Sequence, residues 1–297
     1  MATYKQKALD INEQVAFLIS KGLLVSDEPQ AKQWLSHISF YRLKHYTYTF
    51  RDINNGHNFN AATTFEQIID LYFFDRELRM VIFDAIETIE VAFKTLLSNN
   101  MSCKYGSHWY EDRSYFYDSF DHKIYIDKIT DEFTQQEEQS VIAYSQTYDT
   151  PKLPPSWMVF EFTTFGTISK MFESIKDNEI KSSICTHFSL PHNILSNWLH
   201  SLTHIRNRCA HHSRLIYRSI KTIQFPSREK YKFLKEADIL DTNHIYCLLC
   251  SMQFLIKKIN PDSSFKTSLL KLIDKNKGID YSKIGFTPNW KDETLWK

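Results

Sequence analysis

The chain has 297 residues, 42% of them hydrophobic, and 36 Lys and Arg against 35 Asp and Glu, a formal net charge of +1. That apolar share excludes a disordered chain and allows one large core or two small ones. With only 6 glycines and 8 prolines, it lacks the turn residues that an all-β fold consumes, so a helical class is expected.

Residues 1–10 show no basic-then-apolar leader pattern, and no apolar run approaches the roughly 20 residues of a membrane span. The apolar spacing over the first 50 residues predicts three short helices, around Ile11–Leu23, Trp34–Ile38 and Phe40–Tyr46. Loop chemistry follows in Asp52–Asn60, centred on Asn55-Gly56, and Thr63 or Thr64 with Glu66 can cap the next helix. That helix is the longest, with apolar residues at three-and-four spacing from Phe65 to about Ser98. Asp75 and Arg79 share its apolar stripe at i, i+4, which points to a structural ion pair.

Residues 101–120 are rich in aromatics and read as a folded loop, with a base-stacking surface as the second possibility. Pro151–Pro155 marks a break, and Trp157–Phe172 reads as one helix weakened by Gly166. A helix starting at Pro191 is expected to run about seven turns, through Ile216 to Arg218. Beyond Pro226 come a basic stretch, apolar helices over Ile245–Ile259 and Phe265–Ile273, and a polar tail ending in Trp296 and Lys297. The expected division is an N-terminal helical segment over 1–60, a helical core over 61–276 with an inserted loop region near 101–155, and a tail over 277–297.

Charge is distributed unevenly. Residues 121–149 hold seven carboxylates, whereas residues 180–228 hold seven Lys or Arg and no carboxylate. On a helix from 191, the face opposite Leu195, Leu202 and Cys209 carries Asn193, His200, His204, Asn207, His211, Arg214 and Arg218. A face that merely solvates a helix mixes signs; one holding only imidazole, amide and guanidinium suits a polyanion. His200, His204, Arg214 and Arg218 of this face, with Arg208 and Lys221 of the same carboxylate-free window, are candidate phosphate-binding residues. Asn207 and His211 share that face, while Arg206 lies about 140° from His211, so its guanidinium must swing around the helix or serve a facing subunit, a hint of a composite site.

Several motifs in order carry a family resemblance: Phe40-Tyr41-Arg42-Leu43, Leu71 to Arg79 with Glu87 to Glu90, Pro155-Ser156-Trp157 leading to Phe165-Gly166, and Arg206-Asn207-Arg208-Cys209-Ala210-His211-His212. In these the chain resembles the Abi proteins of the AbiD and AbiF type, within the HEPN superfamily of helical ribonucleases. The resemblance implies an all-α, HEPN-like helical bundle with additional N- and C-terminal helices. It also implies an R-N-x-x-x-H active site of Arg206, Asn207 and His211 assembled across a homodimer. The implied activity is a metal-independent endoribonuclease acting as a toxin in phage defence, restrained by a small noncoding RNA antitoxin. Departures are few: Ser39 precedes Phe40-Tyr41 where such proteins often have Asn-Tyr-Tyr, and Ile216-Tyr217 stands where an aromatic-Asn pair is common.

Other chemistry lacks support. No nucleotide-binding glycine loop or Ser-centred elbow occurs, so no cofactor is expected. Cys247-Leu248-Leu249-Cys250 has CxxC spacing without a second ligand pair, so no metal is expected either. Five cysteines, an odd number, argue for a reducing compartment, with the cytoplasm as the default. His212 reads as a buried, hydrogen-bonded histidine, and Glu87 and Glu90 can face the motif helix without thereby becoming catalytic. A noncatalytic RNA- or effector-binding protein using the same strip is the alternative reading.

Overall fold

The computed structural model describes residues 3, 7–52, 56–227, 233–235 and 240–297. It is an all-α bundle, and the only sheet among the described residues is a two-stranded antiparallel hairpin, β1 (Arg51–Asp52) with β2 (Asn58–Phe59). Asn55, and Arg228, Lys230 and Lys232 of the basic stretch, lie outside the described residues. No helix among the described residues is long and apolar enough to cross a membrane.

The chain divides into two compact units, Met1–Arg79 with Leu272–Ile279, and Met80–Lys271 with Asp280–Lys297. The division differs from the expected boundary at residue 60, because the start of the longest helix belongs with the N-terminal helices.

In the first unit, α1 (Ile11–Ser20), α2 (Glu28–His37) and α3 (Phe40–Thr47) each begin at a capping side chain, Asp10, Asp27 and Ser39. Asp10 and Glu13 form a reciprocal capping box, their side chains accepting from each other's backbone N–H at 2.9 and 2.8 Å. Helix α4 (Phe65–Tyr105) is capped by Thr64 in reciprocal hydrogen bonds with Gln67, not Glu66, which instead accepts from Ser26 at 2.9 Å. Asp75, fully buried, and Arg79, 5% exposed, form an ion pair on α4. Tyr46 of α3 donates its hydroxyl to Asp75 at 2.7 Å, and burial followed by the Asp75 charge pushes that phenol well above its usual range.

The second unit contains the remainder of α4, where Ile82, Ile86, Ile89, Phe93, Leu97 and Met101 are fully buried on one stripe. The helix continues to Tyr105, and the 101–155 region holds α5 (His122–Thr134) and α6 (Gln139–Thr147) instead of one long loop. Trp109, Tyr110, Phe116 and Phe120 are buried there, so these rings form core and not a base-stacking surface.

The single helix expected over Trp157–Phe172 is two, α7 (Ser156–Phe162) and α8 (Phe165–Ser174). Thr164 breaks the run because its side chain accepts from Thr167 N–H and caps α8. Ser156, fully buried, ties α7 to α4 through hydroxyl contacts of 2.8 Å with both Ser98 and Ser102. Ser156→Ala leaves those hydroxyls short of a partner and is expected to cost about 1–3 kcal/mol, read from the urea unfolding midpoint.

Next come α9 (Asn178–His187), α10 (His192–Ala210), α11 (Ile245–Ile259) and α12 (Phe265–Lys275), whose last turn belongs to the first unit. The polar tail is packed: Phe286, Trp290 and Trp296 are buried around Tyr246 of α11, and Trp296 Nε1 donates to the Tyr246 hydroxyl at 3.2 Å. Cys247 and Cys250 are buried in α11, and burial raises the Cys247 thiol to about 12 and pushes the Cys250 thiol well above its usual range.

Candidate functional site

Helix α10 begins at Pro191 and buries Leu195, Trp198, Leu202, Ile205 and Cys209 on one stripe. Against it lies α8, where a Cβ added to Gly166 would stand 3.0 Å from Thr203 Cγ2; the glycine allows the two helices their close approach. The helix ends at Ala210, two turns before the expected end at Arg218. His211 is the C-cap, and His212 takes a left-handed φ of 55°. Two bonds close the end, Ser213 N–H to Arg208 O at 2.8 Å and His212 N–H to Cys209 O at 3.0 Å, the Schellman pattern. His212 is thus exposed at a turn and not buried as expected, and Arg214 and Arg218 lie beyond the helix instead of on its face.

Part of the strip is nevertheless brought together, because the chain returns along α10. Asn197 Nδ2 donates to Thr222 O at 3.1 Å, Gln224 N–H to Asn197 Oδ1 at 2.9 Å, and Trp198 Nε1 to Gln224 O at 2.7 Å. Arg208 reaches Ser219 O at 3.4 Å. This return brings Lys221 to His200, where its ammonium donates to Nε2. The His200 and His204 rings meet edge to face at 4.8 Å. His200, His204, Arg208 and Lys221 thus form one cluster, with Arg218 close enough to lower the Arg208 pKa after burial has done so.

Burial, then Lys221, depress the His200 pKa; burial, then Lys221, His200 and Arg208, depress that of His204. Depressed histidines favour the neutral form in the folded state. Their contribution to stability is therefore complete above the unfolded value of about 6.5 and is lost as pH falls through the lower folded values. Any anion that binds beside imidazoles favours their charged form, so its binding is coupled to proton uptake by the rings.

Of the motif residues, Arg206 and Asn207 line one cleft of about 440 Å³ with residues of α5 and α8. The Arg206 guanidinium lies over the Phe83 ring of α4, 5.9 Å from its centroid. His211 is exposed and stands outside the cleft lining, its backbone N–H bound to Asn207 O at 3.0 Å. Glu90 is engaged by Lys94 at 2.8 Å, and Glu87 is exposed. Sequence reasoning did not single out the opposite wall of the cleft, Tyr125, Lys128, Thr164 and Thr167; the Thr164-x-x-Thr167 cap lay inside the single helix expected over Trp157–Phe172.

The model of a family described as Abi-like protein matches residues 33–217, well over half of the chain. The chain belongs to the Abi-like protein family. The match takes in α3, the Asp75–Arg79 pair, the Pro155-Ser156-Trp157 segment and all of α10, and it ends before Arg218 and Lys221. Membership associates this Abi-like protein with abortive infection, a form of phage defence. No curated protein and no solved structure matches it significantly.

Proposed function

We propose that this Abi-like protein is a metal-independent endoribonuclease of the HEPN type, a toxin that cuts RNA through Arg206, Asn207 and His211 supplied by two copies of the chain. The observation that carries the reading is the face of α10 itself, which bears no carboxylate and runs to this triplet, with His200, His204, Arg208 and Lys221 gathered along it and with Glu173 and Lys170 of α8 acting on His200 as well. Such a surface attracts a phosphate backbone while imidazoles handle protons near neutral pH.

In the proposed reaction, one His211 accepts the proton of a ribose 2′-OH as that oxygen attacks the adjacent phosphorus. The bond to the 5′-oxygen breaks, and the second His211 protonates that leaving oxygen, leaving a 2′,3′-cyclic phosphate and a 5′-hydroxyl. Arg206 stabilises charge on the phosphoryl oxygens, and Asn207 orients the phosphate or His211. A homodimer suits this division because His211 lies outside the cleft that Arg206 and Asn207 line. Met80, Phe83 and Val91 stand exposed on one face of α4, with Phe83 under Arg206, an apolar surface suited to a second copy. A free nuclease harms its host, so a small noncoding RNA antitoxin held by the basic strip completes the proposal.

Arg206→Ala separates the readings. A nuclease loses cleavage with RNA affinity largely kept; a noncatalytic binding protein shows no wild-type cleavage and weaker affinity in the variant. Protonation supplies a second check. In the non-cutting His211→Ala background, RNA affinity is expected to rise between pH 8 and pH 6, by up to about tenfold for each unit by which binding raises a histidine pKa. Fluorescence anisotropy at fixed salt reads it, and an affinity indifferent to pH would remove His200 and His204 from the interface.

A further inference from the structure

The wall of the cleft opposite Arg206 has no part in the proton transfers. It is built by α5 and the first turn of α8. Thr167 is 3% exposed, yet it lines the cleft and takes a hydrogen bond from Lys128 Nζ at 2.9 Å. The Thr164 hydroxyl lies 3.0 Å from that of Thr167 and 3.3 Å from the same ammonium. Lys128 also stands 3.9 Å from Glu132 on its own helix, so its position is set by a carboxylate on one side and two hydroxyls on the other. Tyr125, half-buried, packs on Phe120 with ring centroids 4.4 Å apart, which holds the ring in place at the cleft. The cleft therefore carries a cation at each wall, from Arg206 and Lys128, a fixed aromatic ring, and two hydroxyls that engage Lys128 and each other and keep one O–H between them to donate. Its volume of about 440 Å³ falls in the range of small-ligand sites, roughly 300–1,000 Å³, and matches one nucleotide rather than a duplex.

We propose that this cleft receives a single unpaired nucleotide next to the scissile phosphate. Tyr125 lies against the base, Thr164 and Thr167 address its edge, and Lys128 and Arg206 hold the flanking phosphates. The inference rests on the ribonuclease reading for the identity of the polymer. Two consequences follow from the chemistry. The nucleotide must be splayed out of any stack to enter, so cuts fall in single-stranded segments. Hydroxyls that hydrogen-bond a base edge discriminate among bases, so one position beside the cut carries a base preference on the order of tenfold or more.

The test maps RNA ends after digestion by the wild type, Thr167→Val and Lys128→Gln. Thr167→Val keeps the branched shape of a buried residue, and Lys128→Gln alters an exposed one, so at least one variant retains the fold. The expected result is a single-position preference in the wild type that Thr167→Val flattens by about tenfold, with Lys128→Gln weakening single-stranded RNA binding. Identical base frequencies in all three proteins, with cutting intact, would overturn the nucleotide cleft and leave the nuclease reading standing.

A second arm works without cleavage. Single-stranded RNA carrying 5-iodouridine is irradiated with the His211→Ala protein and the adduct is mapped. Cross-linking at Tyr125, lost in Tyr125→Leu, supports the cleft even if the wild type proves unable to cut. Adducts confined to other residues overturn it.

Discussion

His211→Ala is expected to lower the RNA cleavage rate by at least about 10³-fold while leaving the fold unchanged. Each proton transfer by a positioned side chain contributes typically 10²–10⁴-fold, and in a two-fold dimer one substitution removes both histidines, the base and the acid. The fold survives because the side chain of His211 is exposed beyond the last turn of α10, and the cap bond to Asn207 O comes from the backbone N–H, which alanine retains. Stability should stay within about 0.5 kcal/mol of the wild type, as for surface positions generally. Single-turnover cleavage of a labelled RNA, with urea unfolding in parallel, measures both. A His211→Ala protein that cuts within tenfold of the wild-type rate would remove His211 from the chemistry.

The second large effect concerns stability. Arg79→Met is expected to destabilise the protein by about 3–5 kcal/mol, because it leaves the Asp75 carboxylate buried at 0% exposure with its cation gone. The Tyr46 hydroxyl bond at 2.7 Å remains, but a neutral donor does not replace the charge-to-charge contact with the guanidinium. Asp75→Asn combined with Arg79→Met should cost less than the sum of the two single changes, since no lone charge is left. Urea unfolding of the four proteins in the cycle gives the coupling. Additive changes would show that the pair contributes no more than its separate packing.

Much of the fold was legible because its helices bury wide apolar stripes. Helix α11 runs over the expected Ile245–Ile259, and α4 starts at Phe65 as its pattern requires. The end of α10 was not legible. Ile216 keeps the helical spacing after the helix has stopped, since it too is buried, and the left-handed residue that stops it is His212 where a glycine would have signalled the turn. The split between α7 and α8 was hidden in a similar way, by apolar residues on both sides of a threonine cap.

At the candidate site, periodicity placed Asn207 and His211 on one side of a helix, but the cluster of His200, His204, Arg208 and Lys221 depends on the return of residues 219–224 along α10. No local pattern encodes that return. The cleft is likewise tertiary, since Tyr125 and Lys128 lie some 80 residues before Arg206 and meet it only through the packing of α8 on α10 at Gly166.

The most direct test of the central claim is digestion of bacterial RNA by purified wild-type protein in excess EDTA, with the chemistry of the new ends determined. The account predicts cuts that leave 2′,3′-cyclic phosphates and 5′-hydroxyls. RNA left intact by a dimer shown to carry no copurifying nucleic acid would contradict it, and would leave the α10 surface as a phosphate-binding face without a reaction.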